Sequence, residues 1–184
     1  KILGLRVGYM SGYKYIQYII PGLLMMAIIS SAYANVSSSF FSSKFQKYIE
    51  ELLISPINFF ILINGFIFGG VIRAFFIFTG VCFVAFFLNE FYFYDFYFLI
   101  FVFFLTALLF SLIGFFNAIL AKKFDDISLV PTFILTPLIY FSGIFFSLDL
   151  LPKFFKIIVY LNPIFYLVNI FRYSFLGISE VNIL

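Results

Sequence analysis

The residues able to do chemistry in this chain are few, and they cluster. Among 184 residues there are 11 Lys or Arg, 8 Asp or Glu, no His and a single Cys, Cys82. Asp125 and Asp126 are adjacent carboxylates, the residue type that general acid–base catalysis uses. Lys122 and Lys123 stand directly before them, however, and such a run reads as a solvated charged loop. A second group, Lys44, Lys47, Glu50 and Glu51, alternates with apolar residues, and Arg73 stands alone inside an apolar run. A disulfide within the chain is impossible, and no His/Cys metal site is expected. No Ser or Asp pair is placed as an intramembrane hydrolase would need it. No Gly-x-x-x-x-Gly-Lys-Ser/Thr phosphate loop occurs, so the chain is not expected to bind ATP in that way. No catalytic residue and no metal ligand is assigned.

What positions these groups is an apolar scaffold. Hydrophobic residues make up 65 % of the chain and charged ones only 10 %, against about 25 % charged in a soluble domain. The net charge of +3 is small and dispersed, which gives no nucleic-acid footprint. Several runs reach the roughly 20 residues that cross a bilayer. The chain is therefore read as an all-α integral membrane protein with the lipid bilayer as its solvent.

Four spans are expected, at Tyr15–Val36, Ile57–Leu88, Phe96–Ala121 and Ile127–Ser147. The first carries Pro21-Gly22 near its start, and its small residues Ser30, Ser31, Ala32 and Ala34 would let a neighbouring helix come close. The second is some 48 Å long at 1.5 Å per residue, against about 30 Å of hydrocarbon, so it must tilt, bend or leave its first turns in the interface. Arg73 lies within it. A charge there costs roughly 2.5 to 3.5 kcal/mol on insertion scales, so it either faces a partner or a wet cavity or snorkels to the outer interface. On the third, Ser111, Gly114 and Asn117 fall on one face and read as a helix contact. The fourth is broken by Pro131 and Pro137 and closed by Ser142-Gly143. Two half-length apolar segments, Ile157–Leu161 and Ile164–Phe171, flank Asn162-Pro163 and read as a re-entrant or interfacial hairpin ending at Arg172.

Between the first two spans lies Phe40–Pro56. At 100° per residue, Phe41, Phe45, Tyr48, Ile49, Leu52 and Leu53 share one side, and Lys44, Gln46, Lys47, Glu50 and Glu51 share the other. Ser55-Pro56 stops the pattern. This predicts a short helix lying along the membrane surface, either a plain interfacial helix or a docking element gripped by a cytoplasmic protein. Orientation is not decided by basic residues: Lys44, Lys47, Lys122 and Lys123 on one side are matched by Lys1, Arg6, Lys14, Lys153 and Lys156 on the other. The acid-only connection 89–95 argues for the outside.

Taken together, PGLLMMAIISSAYANVSSSFFSSKFQKYIEELLISP at 21–56, GGVIRA at 69–74, AKKFDDISLVPTFILTPLIYFSGIFFSLDLLPKF at 121–154 and NPIFYLVNIFRYSFLGISEV at 162–181 resemble the ABC-2 type permeases. These are the membrane subunits of a class of bacterial ATP-driven exporters. The likeness looks closest to small inner-membrane permeases encoded beside a separate ATPase. It implies a type V exporter-like helical bundle with six spans per subunit, and a homodimer of permeases working with two ABC ATPase subunits that bind the ATP. On that map Tyr15–Val36 is the second span, Phe40–Ile54 is the coupling helix, and Lys122–Asp126 is the second cytoplasmic contact. Asp149–Arg172 becomes the external re-entrant segment before the last span. The expected fold is a single transmembrane domain over residues 1–184 with four full spans, an amphipathic coupling helix and a re-entrant hairpin. The first and sixth spans are missing, so the domain is expected to be incomplete at both ends.

The function implied is export of an amphipathic, lipid-linked or drug-like substrate. Lys44, Lys47, Glu50, Glu51, Asp125 and Asp126 would contact the ATPase, and Arg73 is the intramembrane pathway candidate. A non-transporting membrane scaffold and an ion-coupled carrier are the alternatives.

Overall fold

A computed structural model describes residues 9–10, 12–87, 93–148 and 151–180. A two-residue antiparallel ladder opens it, pairing Tyr9–Met10 (β1) with Tyr13–Lys14 (β2) across Gly12, whose φ of 87° suits the tight turn. Everything else regular is helical: α1 (Tyr15–Phe45), α2 (Tyr48–Ile54), α3 (Phe59–Phe87), α4 (Phe96–Leu120) and α5 (Phe124–Val130). A π-helical turn at Pro131–Leu135 follows, then α6 (Thr136–Tyr140), α7 (Lys153–Tyr160) and α8 (Pro163–Leu176).

Helices α1, α3 and α4 are each long and apolar enough to cross a membrane; α7 and α8, bent by 86° at their junction, would make a fourth if counted as one span. Local chemistry sets the ends. The side chain of Asn58 accepts from Phe60 N–H at 3.0 Å at the start of α3, and Asp95 accepts from Phe98 N–H at 3.0 Å at the start of α4. Asn162 caps α8 by accepting from Ile164 N–H at 3.0 Å, with Pro163 in the first turn. Gly177, at φ 70°, closes the same helix through a 2.8 Å bond from its N–H to Tyr173 O.

Two compact units emerge. One comprises Lys1–Met26, Thr79–Phe103 and Thr136–Leu184; the other comprises Ala27–Phe78 and Phe104–Leu135. The second is held by close backbone approach. A Cβ on Gly70 would fall 2.5 Å from both Ser111 Oγ and Val36 Cγ2, and one on Gly114 would fall 2.6 Å from Tyr33 O. Asn117 adds a hydrogen bond from Nδ2 to Tyr33 Oη at 2.7 Å. Ser111, Gly114 and Asn117 thus make the helix contact their spacing predicted. In the first unit, buried Leu24, Leu99, Ile144, Phe165, Val168 and Phe171 supply the core.

Three expectations change in detail. The surface helix expected over Phe40–Ile54 is not one helix: α1 runs on to Phe45, and Lys47, in the left-handed region at φ 63°, separates it from α2. The span expected over Ile127–Ser147 is not one continuous α-helix. Pro131 and Pro137 lack backbone N–H groups, the helix widens into a π turn between them, and regular structure ends at Tyr140 before the turn containing Gly143 at φ 74°. The half-length segments are both longer than read, as α7 and α8. Asp149, expected to open the re-entrant segment, and Glu90 of the acid-only connection lie outside the described residues, as do Lys1 and Arg6.

Candidate coupling surface

All six charged residues assigned to the surface lie in the second unit, and the structure sorts them into two kinds. Lys44 and Asp126 are committed internally. The Lys44 ammonium donates to Ile119 O at 2.7 Å and to Ala121 O at 2.9 Å, so it caps the carbonyl end of α4 from the end of α1. Asp126 Oδ2 accepts from the N–H groups of Lys122 at 2.8 Å and Lys123 at 2.9 Å, while Asp126 N–H donates to Lys123 O at 3.1 Å. That reciprocal pair starts α5 as a capping box does. The N–H of Lys122, then that of Lys123, holds the Asp126 carboxyl below the usual carboxylate range. Lys47, Glu50, Glu51 and Asp125, by contrast, are exposed.

Aromatic packing joins the two loops. Phe124, first residue of α5, sits with its ring centroid 4.9 Å from both Phe41 and Phe45 of α1. Phe40, Phe41, Ala118 and Ala121 form a buried cluster, and Ile49 of α2 and Ile127 of α5 both pack against it. No residue of α2 is buried; Tyr48, Leu53 and Ile54 stay exposed. The helix therefore presents apolar side chains and two carboxylates together, anchored on one side through Ile49.

Arg73 is the middle residue of the 29 in α3 and is exposed, with no hydrogen bond or ion pair among the described residues. About 20 residues of α3 fill the hydrocarbon. Every such window within Phe59–Phe87 puts Arg73 at least five residues, about 7 Å, inside a boundary. Snorkelling is thus confined to the extreme registers, and central placements leave the guanidinium in the hydrocarbon.

The sequence pattern does not single out the most buried cation among the described residues. Arg172, fully buried, donates from Nη2 to Gly143 O at 2.8 Å and lays its guanidinium 3.8 Å over the Tyr18 ring. Tyr18 Oη donates to Glu180 Oε1 at 2.6 Å, and Glu180 Oε2 accepts from Leu148 N–H at 3.1 Å. Arg172 Nε and Nη1 have no acceptor among the described residues. A cavity of about 170 Å³ lined by Tyr18, Arg172, Ile178, Ser179 and Glu180 adjoins them. The signal available in sequence was Asn169 and Arg172, three apart on the mainly apolar helix α8.

Compared with known proteins, residues 2–176 match the family described as ABC-2 type transporter. The chain is 49 % identical to the inner membrane transport permease YadH of Escherichia coli K12 over 180 residues, covering 98 % of this chain and 70 % of that protein. It is 24 % identical to nodulation protein J of Rhizobium leguminosarum bv. viciae and 23 % identical to that of Rhizobium meliloti, each over 182 residues with the same coverage.

Proposed function

Because the chain belongs to the ABC-2 type transporter family, we propose that it is the membrane permease of an ATP-driven exporter, coupled through α2 and the 121–126 loop to a separate ATPase. One observation carries this reading. The two loops expected to meet the ATPase are tied into one unit by Lys44 and Phe124, and Lys47, Glu50, Glu51 and Asp125 are left exposed beside them. A partner pressing on that surface would load α1 and α4 together, because their ends share one hydrogen-bonded clip and one aromatic cluster.

ATP is bound and hydrolysed by the partner, since this chain has no phosphate loop. Two permeases and two ATPases make the working assembly. Closure of the ATPases pushes α2, and the attached spans shift between inward- and outward-facing arrangements. Residues 1–184 form part of one transmembrane domain in the inner membrane, with α7–α8 as a re-entrant element on the outer side. The substrate is amphipathic, in keeping with a lining of Phe and Ile.

The test is co-purification of the full-length permease with its ATPase, wild type against Glu50→Lys/Glu51→Lys. Stoichiometric recovery in the wild type, at least tenfold reduced in the reversal, is the expected result. Normal recovery and ATP-dependent transport in the double variant would remove α2 as the coupling element, and no recovery from the wild type would overturn the ATPase-coupled reading.

A further inference from the structure

Around Arg73 the surface of α3 is shaped as well as charged. Gly65, Gly69, Ile72 and Phe76 share its helical face. A Cβ on Gly65 would meet nothing within 4 Å, and one on Gly69 would meet only Asn35 Oδ1 at 3.6 Å. The face is therefore a shallow trough, polar at Arg73 and at the Asn35 amide, which makes no hydrogen bond among the described residues. Apolar side chains continue it past the cation.

Among the described residues, the spans α1, α3 and α4 hold no acidic side chain that could neutralise Arg73. The chain's 8 acidic residues are Glu50, Glu51, Glu90, Asp95, Asp125, Asp126, Asp149 and Glu180, and none lies within α1, α3 or α4. The same helices of a second copy would bring another Arg73 and no acid in α1, α3 or α4. We propose that this trough binds the anionic headgroup of the transported amphiphile: a phosphate or carboxylate on the Arg73 fork beside Asn35, and an acyl chain laid along Gly65–Gly69 and past Ile72 and Phe76. The proposal deepens the pathway role given above to Arg73 and rests on that reading for the word transported. A guanidinium offers paired N–H groups that match a phosphate or carboxylate edge, and in hydrocarbon such a bond competes with little water.

The test uses the full-length permease in phosphatidylcholine nanodiscs, with hexadecyl phosphate as probe and hexadecylphosphocholine as the same chain without net charge. The wild type should bind the phosphate at least tenfold more tightly. Arg73→Gln should abolish that preference while leaving the weaker ligand unchanged, Arg73→Lys should retain most of it, and Gly69→Leu should weaken both ligands by filling the trough. Equal binding of the two probes by the wild type, or an undiminished preference in Arg73→Gln, would overturn the site. Displacement of hexadecyl phosphate by equimolar inorganic phosphate would overturn the amphiphile as its occupant. If Arg73→Gln does not insert, Gly69→Leu decides: wild-type binding of both probes in that variant is against the trough. Probe binding without ATPase recovery would remove the exporter and leave the site, whereas ATPase recovery without probe preference would do the reverse.

Discussion

Lys44 and Lys47 stand three residues apart and do opposite things. Lys44 spends its ammonium on two carbonyls of the α4 terminus; Lys47 leaves its side chain exposed and bends the backbone into the left-handed region. The same division separates Asp126, whose carboxylate starts α5, from exposed Asp125. It yields a pH prediction. Asp126 is held below the usual carboxylate range by the Lys122 and Lys123 N–H groups, so its contribution is fully present above the unfolded value of about 4 and fades as pH falls through the lower folded value. Amide exchange at Lys122 and Lys123, corrected for intrinsic rates, should lose protection as pH falls below about 4. Asp126→Asn should flatten that dependence, and protection that stays level in the wild type would refute the assignment. Charge and spacing marked all six residues in the sequence. Which of them were already engaged was invisible there, because the partners of Lys44 lie 75 and 77 positions away.

At the scale of elements, hydropathy located α1, α3 and α4, since bilayer length and apolar run are the same statement made twice. It did not locate the break between α1 and α2. Left-handed backbone is usually announced by Gly or Asn, and here a lysine adopts it. The prolines at 131 and 137 did flag the disturbed helix, but a π turn depends on how the surrounding helices accept the freed backbone groups. Glycine at 114 is a sharper case. A methyl there would press on Tyr33 backbone, which has no rotamer to yield. Gly114→Ala should cost about 1–3 kcal/mol, seen as an unfolding temperature roughly 5 °C lower in detergent. An unchanged melting curve would mean that α1 and α4 separate more easily than their contact implies.

Across the molecule, exposed Phe, Leu and Ile line the three long helices, an arrangement costly in water and ordinary in lipid. Against that background a fully buried Arg172 is the exception. It was read from the sequence as the end of a segment, because its contacts with Tyr18 and Gly143 are long-range and local pattern carries none of them. Neutralising Arg172 would leave Gly143 O, the Tyr18 ring and the Glu180 carboxylate without their cation, and breaking a buried charge network on one side is strongly destabilising. Arg172→Gln should lower the unfolding temperature by roughly 10 °C, with Arg172→Lys between it and the wild type. A near-normal value for Arg172→Gln would reduce the residue to packing. The Lys44 clip has a different kind of consequence. Seventy-seven positions separate it from Ala121 along the chain, yet one side chain spans the gap. A load applied at α2 therefore has a short, stiff route to the end of α4 and a long, compliant one through the backbone. For the ATPase contact proposed above, cutting the short route would leave binding intact and make the response slower and softer, a defect of transmission with no counterpart in affinity.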